Sequence, residues 1–305
     1  MTSASYVLVD TNLLPTSSNL ETTFWRSVQR LCKLKGFHLA LVDVVINEDV
    51  NRKVELAQGW VQSLSEAQKG LSSYISFSTY IPSPEAVGEA WRKTLEDAFE
   101  IVPVHGDDAI EALRREALRR RPAQKGKGAR DSAIWLTAVR LVAQGHHVVL
   151  LTNNTDDFGR GGLHEDLRPE LEQHSGSLDY VVNVQHFVDS IAEKVTPWGL
   201  DLDEFTSMFS SIARDHLAAI LEVIEYEAIT DEDLDSGVIR FSGSRVVSAF
   251  LVDGRGYARL AGGFTLARPG GPTLVSASFD TWTEFDAQSQ KLTPTLFDDV
   301  NIELR

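Results

Sequence analysis

A chain of 305 residues with 43% apolar side chains holds enough hydrophobic material for two cores, while a formal net charge of −15 argues against a general polyanion binder. Its one cysteine, Cys32, excludes an intrachain disulfide and any cysteine-built zinc site, which suits a reducing compartment. No run approaches the roughly 20 apolar residues that span a bilayer, and no basic N-terminal segment leads into a long apolar one, so a cytoplasmic protein with no membrane segment is expected.

From Tyr6 to about Thr196, β-branched apolar runs alternate with helical patterns, the mark of a parallel α/β sheet. The first strand is Tyr6 to Asp10, followed by an amphipathic segment from Leu20 to Lys35. A second strand, Phe37 to Asp43, leads into a helix from about Val45 to Leu64 with Glu48 in its first turn. Pro84 opens another helix, in which Val87, Trp91, Leu95 and Phe99 recur every fourth residue, an apolar stripe expected to face a core rather than to stack on bases. Pro122 to Arg130 has the Gly, Pro and Lys content of a flexible loop. A helix starts near Ala129, buries Ile134, Trp135, Ala138, Leu141 and Val142, and leaves Asp131 in its first turn. His146 and His147 are expected in the loop before a strand over His147 to Thr152, and Leu178 to Val182 is a further strand.

After about Val195 the character changes. Pro197 and Gly199 punctuate the chain, a helix is expected from Asp201 to Glu227, and strands over Val238–Ser244, Val246–Val252, Tyr257–Leu266, Thr273–Trp282 and Asn301–Arg305. Turns such as Asp253-Gly-Arg-Gly and Pro269-Gly-Gly-Pro fit antiparallel pairing. The expected division is therefore an α/β domain over residues 1–196 and a smaller α+β domain over 197–305. From Trp198 onward eight basic residues face 18 acidic ones, a balance of −10, which makes the second domain a poor nucleic-acid surface. Between Arg114 and Arg130, by contrast, eight Lys/Arg stand against one Glu. Such a stripe either steers a polyanion to one place or is a solvated helix face running into a loop.

Four acids stand at junctions of these elements: Asp10, Glu48, Asp131 and, after the run Val148 to Leu151, Asp157. Taken singly, each has a bland reading. Asp10-Thr-Asn can be a turn, Glu48 a helix N-terminal acid, and Asp131 a residue favoured by the helix dipole. Carboxylates at the ends of parallel strands and the starts of the following helices, however, converge on one edge of an open sheet, where they suit hard divalent cations. Rival chemistries lack their motifs: there is no P-loop, no strand-linked Gly-x-Gly-x-x-Gly and no zincin pair, and Cys32 reads as a buried thiol without a local His. Asp10-Thr-Asn also lacks the second acid of the Asp-x-Asp loop of haloacid-dehalogenase-like phosphatases.

In order, spacing and strand-helix context, Val-Leu-Val-Asp10-Thr-Asn12, Asp43-Val-Val-Ile-Asn-Glu48, Gly128-Ala-Arg-Asp131-Ser-Ala-Ile-Trp135 and Val149-Leu-Leu-Thr-Asn-Asn-Thr-Asp-Asp157-Phe158 resemble a PIN domain, the nuclease fold shared by the toxins of many bacterial toxin-antitoxin pairs. The likeness covers the first 190 or so residues and is nearest to the larger bacterial PIN-like group with a long helical insertion. It implies hydrolysis of RNA phosphodiesters with Mg²⁺ or Mn²⁺ held by Asp10, Glu48, Asp131 and a fourth acid. Where many members carry that acid after Thr-x, this chain has Asn154, and acids return at Asp156 and Asp157; Asp157 is taken as the ligand. Asn12, Thr152, Asn154 and Asp156 would then support the ligands or orient water, and Arg119, Arg120, Arg121, Lys125, Lys127 and Arg130 would contact RNA phosphates. The resemblance leaves DNA as the alternative substrate. An adaptor that keeps the fold for binding without efficient cleavage is the alternative function, with the C-terminal domain as a protein-partner or self-association module.

Overall fold

The central expected strands pair in parallel because the runs after Tyr6, His38 and His147 are nearly continuously apolar and need cover on both faces. In the computed structural model, which describes residues 3–15, 20–72, 74–75, 80–223, 229–295, 297 and 299–304, β1 (Ser5–Val9), β2 (Phe37–Val42), β3 (Glu100–Val102), β4 (His147–Leu151) and β5 (Ser177–Val181) form one sheet in the order β3-β2-β1-β4-β5. Val7 lies opposite Leu39 on one side and Val149 on the other, all buried. The strand order reverses between β1 and β4, so the crevice that open α/β sheets use for ligands lies beyond the carboxyl ends of those two strands.

The connecting helices are α1 (Thr23–Lys35), α2 (Asp43–Ser72), α3 (Pro84–Ala98), α4 (Gly106–Leu118), α5 (Ala129–Ala143), α6 (Thr155–Phe158) and α7 (Val184–Ile191). α2 starts at Asp43 with no loop after β2, two residues earlier than expected, and so Glu48 sits in its second turn rather than its first. Asp43 serves the junction by accepting the Val104 N–H at 3.2 Å. Ser83 caps α3 by accepting the Ala86 N–H at 3.1 Å, with Pro84 in the first turn. Trp91, Leu95 and Phe99 are buried as the stripe requires. Two elements had no clear signal: β3 is three residues long, and α4 carries the start of the basic stripe. His147 is the first residue of β4 rather than part of the preceding loop, and its ring meets Asp179 at 2.9 Å.

The expected loop 122–130 is an ordered set of turns. Arg120 N–H donates to Arg115 O (2.9 Å), Ala123 N–H to Arg120 O (2.7 Å) and Gly126 N–H to Ala123 O (3.0 Å). Glu116 Oε2 then accepts the Ala129 N–H at 2.9 Å, satisfying one of the open donors at the start of α5.

The chain separates into two compact units, Met1–Leu20 with Cys32–Ser190, and Glu21–Leu31 with Ile191–Arg305. In the second, β6 (Glu193–Val195), α8 (Leu202–Val223), α9 (Asp231–Ser236), β7 (Val238–Val252), β8 (Arg255–Ala267), β9 (Thr273–Phe285) and β10 (Asp299–Leu304) make an antiparallel sheet in the order β10-β9-β8-β7-β6 with helices. Its core gathers Phe205, Phe209 and Leu217 of α8 with Leu260, Phe264 and Phe279 of the sheet. The two strands expected over Val238–Ser244 and Val246–Val252 are one: Gly243, at φ +61°, lies in a register shift between Ser242 and Arg245, so the chain bulges there instead of breaking at Arg245. Asp253 and Gly254, both at positive φ, make the tight turn between β7 and β8. The last expected helical residues, 224–227, and Arg305 lie outside the described residues.

Candidate functional site

β1 buries Val7, Leu8 and Val9 and delivers Asp10 to the switch point, where the Asp10 N–H still pairs with Leu151 O at 3.0 Å. The Asp10 side chain is only 4% exposed. Its Oδ2 accepts from Thr152 Oγ1 (2.5 Å) at the end of β4 and from Asn12 Nδ2 (2.8 Å). Asn12 Oδ1 in turn accepts the Asn153 N–H (3.0 Å), and Thr152 Oγ1 accepts the Asn154 N–H (2.9 Å), so the segments after β1 and β4 are laced together.

Glu48 reaches the same place from α2 and accepts from Thr11 Oγ1 at 3.0 Å. Asp131 comes from the first turn of α5. Gly128, just before that helix, has φ +116°, and a Cβ there would lie 3.2 Å from Asp131 Oδ2 and 3.3 Å from Ala123 Cα, so the turn needs glycine. Asn154 caps α6 by accepting the Asp157 N–H (3.3 Å), while its Nδ2 donates to Asp157 Oδ2 (2.9 Å) and Asp131 Oδ1 (3.3 Å). One amide thus bridges two carboxylates, and a carboxylate in its place would add a further negative charge.

The electrostatics link all four acids. Burial raises Asp131 to about 7, with Asp10, Asp157 and Glu48 pushing the same way and the Asn154 hydrogen bond opposing. Burial also raises Asp10, with a contribution from Glu48, against the stabilising hydrogen bonds of Thr152, the Thr11 N–H and Asn12. Asp156 stands apart: it is exposed and bonded to Arg160 (2.7 Å) and Lys125 (3.4 Å), which hold it below the usual carboxylate range.

The basic residues divide. Arg130 Nη1 meets Glu48 Oε1 at 2.6 Å, Lys125 Nζ lies 3.6 Å from Asp157 Oδ1, and Arg121 Nη1 donates to the carbonyls of Asp156 (2.9 Å) and Asp157 (3.2 Å). Arg119, Arg120 and Lys127 are exposed and make no ion pair among the described residues. Three participants had no separate sequence reading. Gln124 Nε2 donates to Asp157 Oδ1 at 2.8 Å, and nothing in its loop marks it. Thr11 was available inside the Asp-Thr-Asn motif. Asp49, beside Glu48, is fully buried on Arg52 and the Trp91 indole N–H (2.7 Å), a structural acid. Burial pushes the Cys32 thiol up to about 12, so it is no nucleophile.

Among the described residues, no three His, Cys, Asp or Glu side chains are placed so that they could hold a metal ion as they stand. Each acid is turned instead onto a local partner. The donors at the cluster are nevertheless all oxygen, and Mg²⁺ retains several waters while using one or two carboxylates directly. Buried carboxylates that raise each other's proton affinity have the charge such a cation would balance, so the residues present fit Mg²⁺ or Mn²⁺.

A family model described as PIN domain matches residues 7–158, from β1 through α6 and across all four acids. No curated protein and no solved structure matches the chain. Among the described residues, no helix is long and apolar enough to cross a membrane.

Proposed function

Because residues 7–158 make this chain a PIN-domain protein, we propose that it is a divalent-metal-dependent endoribonuclease. One observation carries this reading: Asp131 lies within electrostatic reach of Asp10, Glu48 and Asp157 at the switch point of a parallel sheet. PIN domains are generally nucleases, and RNA is their usual substrate; DNA is the alternative. Mg²⁺ or Mn²⁺ held by these four acids would supply charge stabilisation at the scissile phosphate and acidify an attacking water.

The chain's own residues do the rest. Thr152 and Asn12 fix the Asp10 carboxylate, Thr11 fixes Glu48, and Asn154 aligns Asp131 with Asp157. Asp131, raised to about 7 by burial and its acidic neighbours, would hold its charge more readily beside a cation. Arg119, Arg120, Arg121, Lys125, Lys127 and Arg130 would hold the phosphates on either side, since guanidinium forks and ammonium groups suit them. The C-terminal unit, acidic overall, is a module for a protein partner or a second copy rather than for RNA.

Incubating the full chain with labelled RNA and Mn²⁺, and then with EDTA, tests the reading: cleavage that EDTA stops supports it. Binding without cleavage would support the adaptor, which Asn154 at a usual acid position and the Arg130–Glu48 ion pair favour.

Replacing Arg119, Arg120, Lys125 and Lys127 together by Ala should weaken RNA binding and flatten its salt dependence. At about 0.7 of a log unit of slope per lost single-strand phosphate contact, the slope should fall by up to about 3. An unchanged slope in a salt titration would put the RNA surface elsewhere.

Asp157→Asn should impair cleavage far more than Asp156→Asn, because Asp157 faces Asn154 and Asp131 whereas Asp156 is held by Arg160. Asn154→Ala, which removes a bridge between ligands, should cost roughly 10–100-fold. Full activity in Asp157→Asn with loss in Asp156→Asn would move the ligand one residue upstream.

A further inference from the structure

Beside the acidic cluster lies a cavity of about 660 Å³ lined by Arg115, Arg119, Arg120 and Arg121 with Gln124, Asp166 and Glu170. Its two acids are already engaged. Glu170 accepts from Arg115 Nη1 and Nη2 (3.1 and 2.7 Å) and from the Trp135 indole N–H (3.1 Å), and Asp166 lies 3.5 Å from Arg121 and 3.4 Å from His164. Arg119 and Arg120, by contrast, have no ion pair among the described residues. Two uncommitted guanidinium groups on one concave wall are a site for an anion with several free oxygens.

The backbone gives a second, independent sign. Arg119 ends α4 in the left-handed region, at φ 55° and ψ 40°. That position ordinarily goes to glycine, and a side chain there carries strain of the kind that collects at functional sites. The turn that follows is fixed by the Arg120 and Ala123 N–H bonds and by Arg115 Nη1 donating to Arg121 O at 3.2 Å, so the backbone that carries the arginines is set before any ligand arrives. Two lining residues also touch the acidic segment: Arg121 donates to the Asp157 carbonyl and Gln124 to the Asp157 carboxylate. The cavity and the cluster therefore share a wall.

We propose that this cavity binds the terminal phosphomonoester of an RNA strand. An internal diester offers two free oxygens and one charge, whereas a monoester near neutral pH carries close to two charges and three strong acceptor oxygens, matching two free forks. With the end seated there, Asp157 lies just beyond the shared wall, so cutting would occur at a short, set distance from the phosphorylated end; that consequence rests on the nuclease reading.

The test is binding of one oligoribonucleotide to the full chain in EDTA, with a 5′-phosphate, a 3′-phosphate or hydroxyls at both ends. One phosphorylated form should bind at least about tenfold tighter, the scale of one charge-assisted hydrogen bond, and which form does so identifies the end. Arg120→Ala and Arg119→Gly should each bring the ratio of affinities towards one. Arg119→Gly should do so without lowering the melting temperature, since glycine suits the backbone. Equal affinity for all three RNAs, or a preference intact in both variants, would overturn the proposal. Mapping cuts with Mn²⁺ keeps the two ideas apart: end preference without cleavage would sink the nuclease reading alone, and cleavage without end preference the cavity alone.

Discussion

Asp10→Asn is expected to lower Mn²⁺-dependent RNA cleavage by on the order of a thousandfold. Losing one of the charges that would hold the proposed cations at the scissile phosphate removes several kcal/mol of transition-state stabilisation, and about 1.4 kcal/mol corresponds to a tenfold change in rate. The substitution is otherwise gentle. Asparagine is nearly isosteric, and its carbonyl oxygen can still accept from Thr152 and Asn12. Because burial and Glu48 both raise Asp10 in the native chain, the neutral amide should leave the metal-free melting temperature unchanged or higher. Single-turnover cleavage beside thermal unfolding separates chemistry from folding. Cleavage near the wild-type rate in a folded Asp10→Asn protein would remove Asp10 from the reaction.

The parts of this site that were legible in the sequence are those whose position follows from local pattern. Asp10 and Asp131 abut apolar runs that declare their own strand and helix, so the sheet edge they share could be argued without coordinates. Glu48 was harder. It is followed by Asp49, and period alone does not rank neighbouring acids; only the distant Trp91, 42 residues on, claims Asp49 for the interior. The start of α2 at Asp43 was displaced for a similar reason, since its anchor is the Val104 N–H, 61 residues away. Charge density exposed the basic stripe, but not that Arg130 folds onto Glu48 or that Lys125 reaches Asp157, which are tertiary pairings. In the second sheet, the stretch Gly243 to Arg245 carries the same local signal whether it separates two strands or bulges one, and the pairing of β7 with β8 on both sides of it decides.

In EDTA, the stability of the protein should fall as pH rises from about 4 to about 7, and Mn²⁺ should reverse that loss. Asp131 is raised from 3.8 to about 7 by burial and by Asp10, Asp157 and Glu48. Between those values the folded chain keeps a proton that the unfolded chain has released, so stability declines with rising pH across that window and levels off above it. At about 1.4 kcal/mol for each pH interval of one across that window, the total is on the order of a few kcal/mol, and Asp10, raised in the same direction, adds to it. A cation that binds the folded cluster reverses the sign, because it replaces the missing proton as counter-charge. At a hundredfold excess over its dissociation constant it contributes about 2.7 kcal/mol, or roughly 5–10 °C in the melting temperature of a unit this size. Asp131→Asn should flatten the pH profile and blunt the Mn²⁺ response together, since both arise from the same carboxylate. The measurement is a set of melting curves from about pH 4 to 8 for both proteins, in EDTA and in Mn²⁺, with calorimetry of Mn²⁺ binding at the upper end. A flat wild-type profile, with a melting temperature that Mn²⁺ does not move and no heat of binding, would mean that these acids are not a cation site.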